Sequence, residues 1–188
     1  MYTFLLDFFA VIRLRFAPAA HYRYSWAITI AVLAAVSLVN AAAMSPVFGK
    51  EPAAIAFSLI FTALKWFVLS QIMSRILHYF GAPRMRLFGF VLLTEALIIP
   101  ELLMLYWPEI FTLPGIFWQI WIMLVQFWGF VYLSQGISAW KVVIGYLAYL
   151  LLIACIFSII SILFNNMGWL DVNNIMQQMQ RVAEMKSQ

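Results

Sequence analysis

An all-α, polytopic membrane protein is the fold class this chain predicts, with five transmembrane helices between amphipathic N- and C-terminal helices. Three observations predict it. Five long apolar stretches, separated by short basic or Pro/Gly-marked gaps, fill most of the 188 residues. Hydrophobic residues make up 66% of the chain and charged residues 10%, against about 45–50% and about 25% in a soluble domain. Each stretch also approaches the roughly 20 residues that a helix needs to cross a hydrocarbon core. Backbone polar groups in lipid must be satisfied within the segment, which requires helices. A barrel would show short alternating segments instead. The length leaves no room for a separate soluble domain, so residues 1–188 read as one membrane domain.

Residues 1–18 carry a broad apolar face of Phe4, Leu5, Phe8, Phe9, Val11 and Ile12, with Asp7, Arg13 and Arg15 elsewhere. This stretch is too short and too charged to span, and it predicts an interfacial helix ending at Pro18. The first span is expected at about 25–44. Its Ala27, Ala31 and Ala35 recur at helical spacing and would let a neighbouring backbone approach closely. A cleaved signal peptide ending at Ala41-Ala42-Ala43 is the rival reading, but the preceding region is too long and contains Asp7.

Ser45-Pro46 to Pro52 is expected to break the helix, and the second span follows at about 53–74, continuing towards Phe80. The third, about 87–106, is expected to bend at Pro100. Trp107-Pro108-Glu109 and Pro114-Gly115 mark a loop before the fourth span, about 116–134. Ser134-Gln135-Gly136 turns the chain into the fifth, about 142–164. Beyond Asn165-Asn166 and Gly168, Val172, Ile175, Met176, Met179 and Val182 form an apolar stripe at helical spacing within residues 171–186. Asp171 is placed to cap that helix.

The basic residues set the orientation. Arg13, Arg15 and Arg23 precede the first span, Arg75, Arg84 and Arg86 lie between the second and third, and Lys141 lies between the fourth and fifth. All three regions fall on one side of a five-span protein. The other side offers Lys50 beside Glu51, and Glu109. The positive-inside rule therefore predicts a cytoplasmic N-terminus and an external C-terminal helix. Trp26, Trp107, Trp118, Trp140 and Trp169 fall near predicted span ends, whereas Trp66 and Trp128 lie deeper and read as packing residues. The formal net charge of +4 belongs to this topology and to anionic headgroups rather than to nucleic acid.

Lys65 and Glu95 are the sharpest candidates for a site. Ionisable groups inside a bilayer cost about 2.5–3.5 kcal/mol each on the insertion scale, so they face protein, water or each other. Lys65 lies about 11 residues, roughly 16 Å, from the cytoplasmic end of its span, and Glu95 lies about nine residues, roughly 14 Å, into the next. Matching depth and a short connecting loop predict a buried ion pair. Its functional reading is a proton or ion relay; its structural reading is a clamp between two helices. The clamp is favoured, because a transporter usually shows more intramembrane polar residues, or two similarly interrupted helices.

Glu101 follows Pro100 near the outer interface and is expected to reach headgroups across a kink, although the carbonyl freed by Pro100 permits a polar pocket. Gln119 and Gln126 are seven residues apart on one face and could line a polar seam with Glu95; interhelical hydrogen bonds are their commoner role. His21 and His78 read as solvated boundary residues. Cys155 reads as a small packing residue that has no disulfide partner. No GxSxG, HExxH or phosphate loop occurs. The expectation is a chain without catalytic residues, metal site or cofactor.

The order of these features resembles the Yip-domain family. Leu87-Phe88-Gly89-Phe90 through Pro100 resembles the Gly-aromatic and later Pro pattern of that domain's third span. The stretch Phe117 to Leu151 resembles its end: a Trp-containing span with Gly129 in its second half, a short turn at Gly136-Ile137-Ser138, then Lys141 and the last span. The likeness covers most of residues 20–165. The Asp-Leu-Tyr-Gly-Pro motif of the eukaryotic branch and its long N-terminal region are missing, so Rab-type GTPase partners are not carried over. The resemblance implies a bacterial-type inner-membrane bundle of five spans, oligomeric or held in a membrane complex, acting as a non-enzymatic scaffold or partner subunit among membrane lipids. The rival class is a small transporter or channel component using Lys65 and Glu95.

Overall fold

The computed structural model describes residues 2–48 and 52–168, and these are all-helical. In chain order the helices are α1 (Tyr2–Ile12), α2 (Trp26–Phe48), α3 (Pro52–Tyr79), α4 (Phe88–Ala96), α5 (Leu102–Tyr106), α6 (Pro108–Leu133) and α7 (Ala139–Asn166), with a 3-10 turn at Ile99–Glu101. Four of them, α2, α3, α6 and α7, contain stretches long and apolar enough to cross a membrane. The amphipathic helix expected at 171–186, with Trp169 and the Lys50-Glu51 pair, lies outside the described residues.

The third predicted span is not one helix. After α4 the chain turns at Leu97 and Ile98, makes a single 3-10 turn around Pro100, and resumes as the five-residue α5. Proline has no N–H to give the carbonyl of Ala96, and the tighter bond from Leu97 N to Thr94 O begins the break one turn ahead of it. The pattern of apolar residues does not encode this interruption.

Two proline-marked gaps are narrower than expected. α2 continues through Pro46 to Phe48. The loop expected over 107–115 shrinks to Trp107, which leaves helical geometry at φ −132° and ψ 67°. Pro108 forces that residue out of the helical region and itself starts α6. Pro114 then sits inside α6.

α4 is the centre of the molecule. Phe90, Val91, Leu92, Leu93, Thr94 and Ala96 are all buried, and the helix is surrounded by α1, α2, α3 and α6. α3 packs between α2 and α7. A second, smaller cluster of Phe57, Ile160 and Phe164 joins α3 to α7 away from α4. Glycine brings α6 onto α4: a Cβ at Gly129 would overlap the ring of Phe90. Gly89 makes the same allowance for the Tyr22 carbonyl.

α1 is shorter and more deeply engaged than an interfacial helix ending at Pro18. Its end is a Schellman-type turn, with Arg15 N donating to Ala10 O at 2.9 Å and Leu14 at φ 56°. Phe4 and Val11 are buried while Leu5, Leu6 and Phe9 face outward. Asp7 holds α1 in place, accepting from His21 Nε2 at 2.9 Å and from the Tyr24 hydroxyl at 2.8 Å. His21 is therefore paired rather than simply solvated. Burial first, and the bond to Asp7 second, push the Tyr24 phenol far above its ordinary value of 10.0. Burial likewise raises that of Tyr22.

Three smaller expectations change. Ala27 and Ala31 face outward, because Thr29, Val32, Val36 and Ser37 form the face of α2 that is buried. Trp128 and Cys155 point away from the core. On one turn of helix, small or bulky apolar residues fit lipid as readily as protein, so their type does not choose the face.

Candidate functional site

A lysine in the middle of a 28-residue apolar helix is costly unless its charge meets water or an anion. α3 carries Lys65 midway along its length; α4 offers Glu95 one residue before its end. The two meet at 2.9 Å between Nζ and Oε2. Lys65 keeps 25% of its side-chain surface exposed and Glu95 only 9%. The pair ties α3 to α4 directly before the break, where α4 has the fewest backbone bonds of its own.

Thr94, one residue earlier, anchors a second polar chain. Gln126 of α6 donates from Nε2 to Thr94 Oγ1 at 2.9 Å. Its Oε1 accepts from the Tyr146 hydroxyl of α7 at 2.9 Å. Thr94 in turn donates to Val91 O at 3.0 Å. Consecutive residues of α4 thus connect α3 on one side with α6 and α7 on the other. The arrangement gives each amide, hydroxyl and charge a protein partner, and no described buried side-chain polar atom is left without one.

The predicted seam of Gln119, Gln126 and Glu95 is therefore divided. Gln126 joins the centre through Thr94. Gln119 lies apart and reaches Glu101 Oε2 at 3.5 Å in an exposed position, a length at which a hydrogen bond is weak. Lys65 and Glu95 come together; Glu101 and Gln119 form a peripheral contact.

Three indole groups bond to backbone carbonyls of neighbouring segments. Trp118 donates to Leu97 O at 2.9 Å, at the break in the third segment. Trp66 donates to Phe88 O at 3.0 Å at the start of α4, and Trp121 to Ile12 O at 3.1 Å at the end of α1. Trp66 packs against Phe88 as well, whereas Trp118 is turned inward instead of marking a boundary. The last turn of a helix leaves carbonyls unpaired, and in an apolar surrounding each needs a donor, which Trp118 supplies at Leu97 and Trp121 at Ile12, whereas Trp66 adds a bond to a first-turn carbonyl of α4. Thr94, Tyr146 and Trp121 are not singled out by the sequence, whereas Trp66 packs inward as its depth predicts. Thr94 has a signal in its place beside Glu95; the inward bond of Trp118 has none, since an indole at a span end usually faces headgroups.

Among the described residues no three His, Cys, Asp or Glu side chains gather as a metal site. His78 is occupied with Ala82 O at 2.9 Å. In chemical terms the centre is a neutralised ion pair beside a filled hydrogen-bond chain. Comparison with known proteins adds no relative: no family model, no curated protein and no solved structure matches this chain.

Proposed function

We propose that this chain is a bacterial-type inner-membrane protein that crosses the bilayer five times and serves as a non-enzymatic scaffold or partner subunit, as its resemblance to the Yip-domain family implies. The broken segment from α4 to α5 would be the additional crossing. Its three parts all lie along α2, which supports a path parallel to that helix. Irregular backbone at membrane depth is tolerated where protein satisfies it, and at the break Leu97 is buried with its carbonyl bonded by Trp118. The arginine distribution supports a cytoplasmic N-terminus and an external C-terminus.

The observation that carries the scaffold reading is the 2.9 Å contact of Lys65 with Glu95, together with the satisfied chain beside it. Charges already matched inside the bundle fix helix orientation. A homo-oligomer or a membrane-protein partner would then use the wide apolar outer faces of α6 and α7, where Ile110, Phe117, Met123, Leu151 and Ile159 are exposed.

Proton flux in proteoliposomes, read with an entrapped pH dye, tests this reading. The scaffold expects wild-type vesicles to match protein-free ones while a stoichiometric partner co-purifies in mild detergent. Flux that disappears in Glu95→Gln with assembly intact would establish the transport reading instead.

A further inference from the structure

Three arginines converge where the structure offers them no carboxylate. Arg23 comes from the segment joining α1 to α2, and Arg84 and Arg86 from the segment joining α3 to α4. All three line one open cavity of about 1000 Å³. No Asp or Glu lines it, and the ion pairs formed among the described residues are those of Lys65 and His21. The guanidinium groups are exposed and unmatched.

The cavity is two-faced. Below the arginines its wall is Trp66 and Phe67 of α3 with Phe88 of α4, and Trp26 stands at the start of α2. Trp26 and Phe67 are also exposed on the outer surface, so the apolar wall is continuous with the face that meets lipid. The start of α4, which has no side-chain cap, belongs to the same wall and adds the positive end of a helix dipole. Guanidinium forks match phosphate oxygens in geometry and charge. An apolar wall reaching the lipid-facing surface suits an acyl chain and offers nothing to a free anion. Basic pockets between membrane helices hold anionic headgroups for these reasons.

We propose that the cavity is a binding site for an anionic phospholipid, with the headgroup phosphate held by Arg23, Arg84 and Arg86 and the first part of an acyl chain lying against Trp66, Phe67 and Phe88. The site is separate from the Lys65–Glu95 centre and goes beyond the scaffold reading. Recognition is of phosphate chemistry, and the apolar wall selects the lipid over inorganic phosphate.

Native mass spectrometry of the full chain decides it, with the protein released from micelles containing phosphatidylglycerol, phosphatidylcholine, or detergent with inorganic phosphate alone. The expected result is one retained phosphatidylglycerol, tenfold or more above phosphatidylcholine, and no retained phosphate. Arg84→Gln with Arg86→Gln should reduce retention at least tenfold, while Arg13→Gln with Arg75→Gln, basic residues outside the cavity, should leave it unchanged. Equal retention of both lipids by the wild type overturns the site without recourse to any variant. Retention of inorganic phosphate alone overturns the lipid assignment. Equal losses in both pairs of variants would reduce the effect to surface charge and overturn it too.

Discussion

The nine residues of α4 and the 28 of α7 use the same kinds of side chain and meet opposite surroundings. Along α4 six of the nine residues are buried and none is exposed; along α7 Val142, Gly145, Tyr149, Ile160 and Phe164 face inward and the rest largely outward. Backbone length explains the difference. A long helix satisfies its own N–H and C=O groups and can stand in lipid on most of its circumference. A helix that stops after nine residues leaves carbonyls in need of donors, and neighbouring helices must bring them. At the interrupted end of α4 Trp118 brings such a donor to the Leu97 carbonyl, while Lys65 holds the Glu95 side chain and Trp66 packs against Phe88 at the start of the helix.

That comparison can be sharpened by substitution. Leu93 is 0% exposed and Leu151 72%. Leu93→Ala should cost about 2 kcal/mol or more through the cavity left behind, whereas Leu151→Ala should change stability by less than about 0.5 kcal/mol. Unfolding in mixed micelles measures both, and equal costs would break the contrast. Gly129→Leu forces atoms into the Phe90 ring and should cost about 1–3 kcal/mol; a smaller partner, Phe90→Ala, should recover part of it.

Trp118→Phe keeps the bulk and removes the N–H from Leu97 O, so a loss of about 1 kcal/mol is expected. Hydrogen exchange at residues 97–102 should rise in the same variant. The smallest effect concerns α1. Because the Tyr24 phenol is raised in the folded protein, its contribution is fully present below the ordinary value of 10.0 and is lost as the pH climbs above it. Proteolysis within residues 13–25 should therefore accelerate at alkaline pH in the wild type, and Tyr24→Phe should flatten that dependence.

Much of the architecture was legible because hydropathy over long windows follows from what lipid demands of a backbone. The second span and the start of the fifth were placed to within a few residues for that reason. The bend expected at Pro100 falls at the observed interruption, but the size of that interruption was not legible, since prolines at 46 and 114 stand inside helices. Whether a proline interrupts a helix depends on what can replace the lost bond, which is a property of the neighbours. The Lys65–Glu95 contact was legible from position alone, because two opposite charges in apolar segments joined by a short loop have few other partners. Gln119 and Gln126 shared a face by spacing, yet seven residues along a helix is about 10 Å. That rise is enough to place one beside Thr94 and the other beside Glu101.

The central claim is that the ion pair holds the bundle together rather than moving charge. A double-mutant cycle on unfolding free energy in mixed micelles tests it most directly, with Lys65→Met, Glu95→Gln and the two combined. The account predicts that each single substitution costs about 3–5 kcal/mol, by leaving a charge or polar group alone in the interior, and that the combination costs much less than their sum. Single substitutions that leave stability unchanged, or costs that simply add, would contradict it.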